Sequence, residues 1–243
     1  MGRIIRRIGP RQQGLTPKNR ERLRPLDNPQ NVHALLGLPA KLMALASKER
    51  RSYKATLLAQ TAVAIEILEM TLMRMRNLVG LDIERHLRRV QRNGPLYIVI
   101  EGDETKNHAT QEYPLHSESV ELIDRYLGEY RPIIADQRNS ALFPGKNGGP
   151  KHANTLAEQI KSAVWTHAGL RWNPHLFRHA GVKLHLDEVP GGYGVPRRVL
   201  GHRSETTTTK FYAGQETAAA VRHFDQTILK LRKRGDECRK GDE

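Results

Sequence analysis

The sequence predicts a mainly α-helical domain carrying one small antiparallel β-sheet. Long stretches place Ala, Leu, Ile and Met at spacings of three and four, the period of a helix face. A short apolar, β-branched run, Leu96–Ile100, follows Asn93-Gly94-Pro95 and precedes a polar turn, the pattern of a strand entering a hairpin. The chain has 243 residues and no internal repeat, enough for one large domain or two small ones with an ample core.

Residues 1–30 read as a separate piece. Arg3, Arg6, Arg7, Arg11, Lys18, Arg20, Arg22 and Arg24 face only Glu21 and Asp27, with Pro10, Pro17, Pro25 and Pro29 interspersed. Prolines at that density argue against a regular helix, so the segment is expected to be a basic arm that contacts phosphates or an inert tail. Residues 31–48 form a short helical lead-in, with Leu35, Leu36, Leu38, Leu42, Met43 and Leu45 broken at Pro39. Residues 53–70 and 71–81 continue as helix. Residues 96–100 and 112–115 form the hairpin, with residues 102–108 as its turn. Ser117 is the expected N-cap of a helix running to residue 130, with Val120, Leu122, Ile123 and Leu127 facing inward. A Gly-rich loop spans residues 142–150. Helices follow at 155–167, 175–187, 195–200 and 218–231, and residues 233–243 are a charged tail.

Lys and Arg total 40 against 26 Asp and Glu, a net charge of +14. A balance this basic implies a polyanionic partner, most often nucleic acid, although a merely solvated surface has the same composition. The single cysteine, Cys238, allows no disulfide framework or cysteine-based zinc site and suits a reducing cytoplasm. No apolar run approaches the ~20 residues of a membrane span, and the basic N-terminus leads into no signal-peptide core.

Chemistry concentrates near the end of the chain. His175-Leu176-Phe177-Arg178, then Leu200-Gly201-His202, then Tyr212 place a His, an Arg, a His and a Tyr in order within 38 residues. Cleaving a phosphodiester without a metal requires neutralised non-bridging oxygens, a positioned nucleophile and a proton for the leaving 5′ oxygen. Arginine suits the first task, because its planar fork binds two oxygens at once and stays charged. His175 and Arg178, three apart, project from one helix face. His179, next along, is expected to point elsewhere in a structural role.

These motifs resemble the carboxy-terminal signature of the tyrosine recombinases, the phage integrase family. The resemblance extends upstream: Thr71-Leu72-Met73-Arg74-Met75-Arg76-Asn77-Leu78-Val79-Gly80-Leu81 is similar to the family segment Thr-Gly-Leu-Arg-Ile-Ser-Glu-Leu-x-x-Leu, with Leu72 in place of the usual Gly and Asn77 in place of an acid. Lys106, in the hairpin turn, lies eight residues before Pro114-Leu115, matching the family's Lys…Val-Pro-Leu. The resemblance implies the recombinase catalytic-domain fold over residues 49–232, including a C-terminal docking helix. It further implies a catalytic set of Arg74, Lys106, His175, Arg178, His202 and Tyr212, with Tyr212 the nucleophile, Lys106 the general acid, and the others on the scissile phosphate. Tyr212 lies one residue further from His202 than the commonest family spacing.

The implied activity is site-specific cleavage and rejoining of DNA through a 3′-phosphotyrosyl intermediate, with no cofactor or metal. The implied partner is double-stranded DNA, bound as a homotetramer, with an accessory bending or directionality factor. Two alternatives stand beside it: a DNA-binding regulator with a degenerate recombinase fold, and a relaxing enzyme of the type IB topoisomerase kind. Residues 1–48 are too few for the separate N-terminal helical domain with which family members grip DNA, so either a longer protein or a short form relying on its basic arm is expected. Other motif readings fail. His175 and His179 are spaced like zinc ligands but lack the metalloprotease Glu, Leu176 standing in its place, and Gly145–Lys151 lacks the end of a phosphate-binding loop. Acids do not cluster as a two-metal nuclease needs.

Overall fold

The computed structural model describes residues 14–49, 52–91, 94–106, 108–136, 138–146, 148–202, 204–212 and 220–230. At its centre is α4, Tyr53–Thr71, with residues buried on nearly every face from Ala55 to Leu68. A helix apolar all round belongs inside a domain, and α4 packs against α3 (Leu38–Lys48), α7 (Ser117–Arg125), α8 (Ala153–Ala168) and α9 (Pro174–Glu188). Among its buried polar groups, Gln60 Nε2 donates to Tyr126 Oη at 3.1 Å, and that hydroxyl donates to the Leu142 carbonyl at 3.0 Å.

The expectation of a non-helical segment before residue 30 is corrected. Residues 17–23 form α1 and Pro29–Leu36 forms α2, joined by a 3-10 turn at Arg24–Asp27. Pro17, Pro25 and Pro29 each sit in a first turn, where the missing N–H costs no hydrogen bond. Thr16 and Asn28 cap the two helices, their side chains accepting from Asn19 N at 3.2 Å and Gln30 N at 2.9 Å. Leu15, Leu23, Leu26 and Leu35 then enter the core, and Lys183 of α9 pairs with Asp27 at 2.8 Å. The part of the basic arm that precedes residue 14 lies outside the described residues. Pro39 likewise opens α3 rather than breaking a helix, the break falling at Gly37.

The long helix expected through residue 81 stops at Leu72, whose φ of 50° is left-handed; α5 (Met75–Val79) and α6 (Ile83–His86) follow. The hairpin forms as β2 (Leu96–Ile100) and β3 (Gln111–Pro114), paired Ile98 to Tyr113, with Leu96, Ile98 and Ile100 buried. A third strand, β1 (Leu87–Arg89), pairs Leu87 with Ile98 to complete a three-stranded antiparallel sheet. Three residues, two of them Arg, carry no readable alternation. His116, not Ser117, caps α7, and a π-helical turn at Tyr126–Tyr130 ends it. Beyond α10 (Gly194–Leu200) and α11 (Glu205–Tyr212), a further helix, α12, covers residues 220–230. No helix among the described residues is long and apolar enough to cross a membrane.

Candidate active site

The site assembles where α9 meets the end of α4 and the start of α11. Asn173 caps α9, accepting from His175 N at 3.0 Å, with Pro174 in the first turn. Arg178, one turn in, is only 5 % exposed. Its guanidinium donates to the carbonyl of Leu72 and, at 3.4 Å, to that of Leu200. The left-handed turn at Leu72 leaves that carbonyl available beyond the end of α4. Leu72 fits because α9 has glycine opposite it: a Cβ on Gly181 would fall 2.4 Å from Leu72 Cδ2. The position where the resembling family segment has glycine thus adopts a left-handed conformation that favours glycine, and Leu72 is accommodated there by Gly181 on the facing helix.

Burial and the nearby charge of Arg74 push the Arg178 pKa down to about 10. Arg74, half-buried, sits at the start of α5. The same two arginines, after burial, lower the pKa of His175 and of His202. Those mutual effects bring His175, Arg178 and His202, from α9 and the α10–α11 turn, within electrostatic range of Arg74 at the start of α5. Among the described residues, none of the four takes part in an ion pair with Asp or Glu. Guanidinium groups left without an ion-pairing carboxylate suit an external anion.

His202 is presented by Gly201, at φ 65°. A Cβ there would also run into the Gln111 side chain of β3. The His202 Nδ1 lies 2.9 Å from Thr208 Oγ1, a fully buried hydroxyl of α11. The threonine run therefore supplies an orienting partner that sequence reasoning did not single out. Tyr212, at the end of α11, is 3 % exposed, and its hydroxyl lies 2.9 Å from His179 Nδ1. Burial raises the Tyr212 pKa to about 12, partly offset by Arg178, which places that guanidinium within electrostatic range. The additional residue before Tyr212 is absorbed without removing it from the pocket.

His179 departs from expectation. It faces the site, its ring edge-on to His175 at 4.8 Å between centroids. The only signal in the sequence was its adjacency to Arg178. Tyr113 of β3 was also missed: its hydroxyl lies 3.0 Å from Gln111 Oε1 and 3.3 Å from the Val199 carbonyl, sharing its one proton between them and tying the sheet to α10. Lys106 stands apart, exposed on the turn leading into β3. Among the described residues no hydrogen bond or ion pair joins it to the other five candidates.

The model of the phage integrase family matches residues 40–218, and the chain belongs to that family. Its fold is that of tyrosine recombinase catalytic domains. A crystal structure of XerH site-specific recombinase bound to difH substrate, in a pre-cleavage complex, superimposes with a TM-score of 0.55 at 23% identity, over 75% of this chain and 51% of that one. The XerA recombinase gives a TM-score of 0.56 at 18% identity, over 93% and 69%. The chain thus spans about half the length of the XerH chains it matches. No curated protein sequence matches it.

Proposed function

We propose that the protein is a site-specific DNA recombinase that cleaves and reseals strands through a covalent 3′-phosphotyrosine. The observation that carries this reading is the convergence of Arg74, Arg178, His175 and His202, with no carboxylate partner, on the pocket that holds the Tyr212 hydroxyl. A scissile phosphate carries one negative charge, and its five-coordinate transition state carries two, so two fixed guanidinium cations, with the neutral imidazoles as hydrogen-bonding groups, stabilise the transition state more than the ground state. Tyr212 passes its phenolic proton to a neutral imidazole of the site, His175 or His202, as its oxygen attacks phosphorus; the bond to the 5′ oxygen breaks, and Lys106 protonates that oxygen from the hairpin turn. Attack by a 5′ hydroxyl on the phosphotyrosine reverses the steps, and the ester conserves the bond energy so that no nucleotide is consumed.

The XerH and lambda integrase structures were solved on DNA, the latter including a tetramer on a Holliday junction. The same partner and assembly are proposed here. The apolar face of α12 supports docking onto a neighbouring copy: Val221, Phe224 and Leu229 are more than half exposed. An accessory bending or directionality factor and action in the cytoplasm complete the proposal.

A nicked suicide substrate, which loses its 5′ fragment on cleavage, tests the reading. Wild type should become covalently attached, Tyr212→Phe should not, and Tyr193→Phe should behave as wild type. Excess chelator should change nothing. Attachment by Tyr212→Phe, or loss in chelator restored by magnesium, refutes it.

A further inference from the structure

We infer that His179 is a positioning residue for the reaction, holding the Tyr212 hydroxyl beside Arg178 as a neutral hydrogen-bond acceptor. The inference rests on Tyr212 being the nucleophile. The Tyr212 hydroxyl and His179 Nδ1 are 2.9 Å apart, and both residues are only 3 % exposed. Their rings, 5.8 Å between centroids, meet in a tilted contact. On its other side His179 packs edge-on against His175, and Arg178 precedes it on α9. One helix therefore supplies the phosphate-facing arginine and the anchor for the attacking oxygen, so the two are placed relative to each other by rigid backbone rather than by the link between α10 and α11.

The charge environment fixes which role the imidazole plays. Burial, then the neighbouring His175 and Arg178, pull the His179 pKa down to about 3. Its neighbours on the site side are His175, Arg178 and Tyr212, and with its pKa held that low it stays neutral across the working range. A neutral imidazole so weakly basic is a poor sink for the proton of a phenol near 12, but its Nδ1 lone pair is a good fixed acceptor. The carbonyl oxygen of asparagine occupies nearly the place of Nδ1 and accepts a hydrogen bond, yet it takes no proton.

The test measures single-turnover covalent attachment to the suicide substrate for wild type, His179→Asn, His179→Ala and Tyr212→Phe, with DNA affinity determined in parallel and rates followed from pH 5.5 to 9. His179→Ala should attach roughly 100-fold more slowly at unchanged affinity, the scale of a small misplacement of a reacting atom. His179→Asn should recover to within about fivefold of wild type, with a pH profile of the same shape. Three outcomes overturn the inference. His179→Ala at the wild-type rate makes the contact incidental, and a faster His179→Ala makes it a restraint. A His179→Asn as slow as His179→Ala, or lacking the acid limb of the wild-type profile, makes His179 a proton acceptor. Attachment by Tyr212→Phe instead overturns the nucleophile assignment, so the two failures are separable.

Discussion

Leu72 carries more of the active site than its side chain suggests. Its left-handed backbone costs a non-glycine residue about 1–2 kcal/mol, and that turn supplies the carbonyl that Arg178 binds. Gly181→Ala should therefore act on catalysis more than on stability. The gain of about 1 kcal/mol in helix propensity offsets part of an overpacking cost of about 1–3 kcal/mol. Displacing Leu72 moves the Arg178 acceptor, and attachment should fall by about tenfold or more for each ~1.4 kcal/mol lost in the transition state. Adding Leu72→Gly should restore attachment, which a double-mutant cycle measures. Arg178→Lys should lose cleavage far more than DNA binding, because a point charge replaces a fork anchored on two carbonyls. A third residue-scale consequence concerns pH. His179 is held well below its usual pKa, so the unfolded chain binds the proton that the folded chain refuses. As pH falls below about 6.5, stability should drop by ~1.4 kcal/mol per unit from this group until its folded pKa is reached. Urea denaturation of wild type and His179→Asn between pH 7 and 5 should show the variant with the shallower decline.

At the scale of elements, the sheet joins the general-acid candidate to the rest of the site. Tyr113 and Gln111 brace β3 against α10 and Gly201, and the same strand begins at the turn that carries Lys106. If Lys106 donates the leaving-group proton, Lys106→Ala should be rescued by a substrate whose bridging 5′ oxygen is sulfur, because a thiolate leaves unprotonated. α12 has the opposite character, an apolar face exposed on its own chain. Truncation after Gly214 should leave binding to a single site intact and abolish higher-order complexes in native gels and light scattering.

At the scale of the whole molecule, the +14 charge predicts DNA binding that weakens steeply with salt through counterion release. Leu15, Leu23 and Leu26 anchor residues 14–30 to the domain while Lys18, Arg20 and Arg24 stay exposed, so the candidate arm is the stretch before them. Removing residues 1–13 deletes Arg3, Arg6, Arg7 and Arg11 and should lower the salt slope by up to ~3–4 if all four neutralise phosphates.

The helical class, the hairpin and the membership of the chain in a recombinase family were legible in the sequence, because periodicity and motif spacing are local properties that survive without tertiary contacts. Arg178 and His175 share a face by helix geometry alone. What the sequence misjudged depended on partners far along the chain. The N-terminal prolines look like helix breakers until Thr16 and Asn28 cap the turns they open, and those helices persist because Leu23, Leu26 and Leu35 find a core. β1 exists only because β2 offers its edge. His179 took its meaning from Tyr212, 33 residues away, and Leu72 from Gly181 on a facing helix. Residue types and short spacings determined the chemistry on offer. Which atoms meet was decided by packing, since hydrogen bonds and close contacts between distant segments form only once the core has brought those segments together.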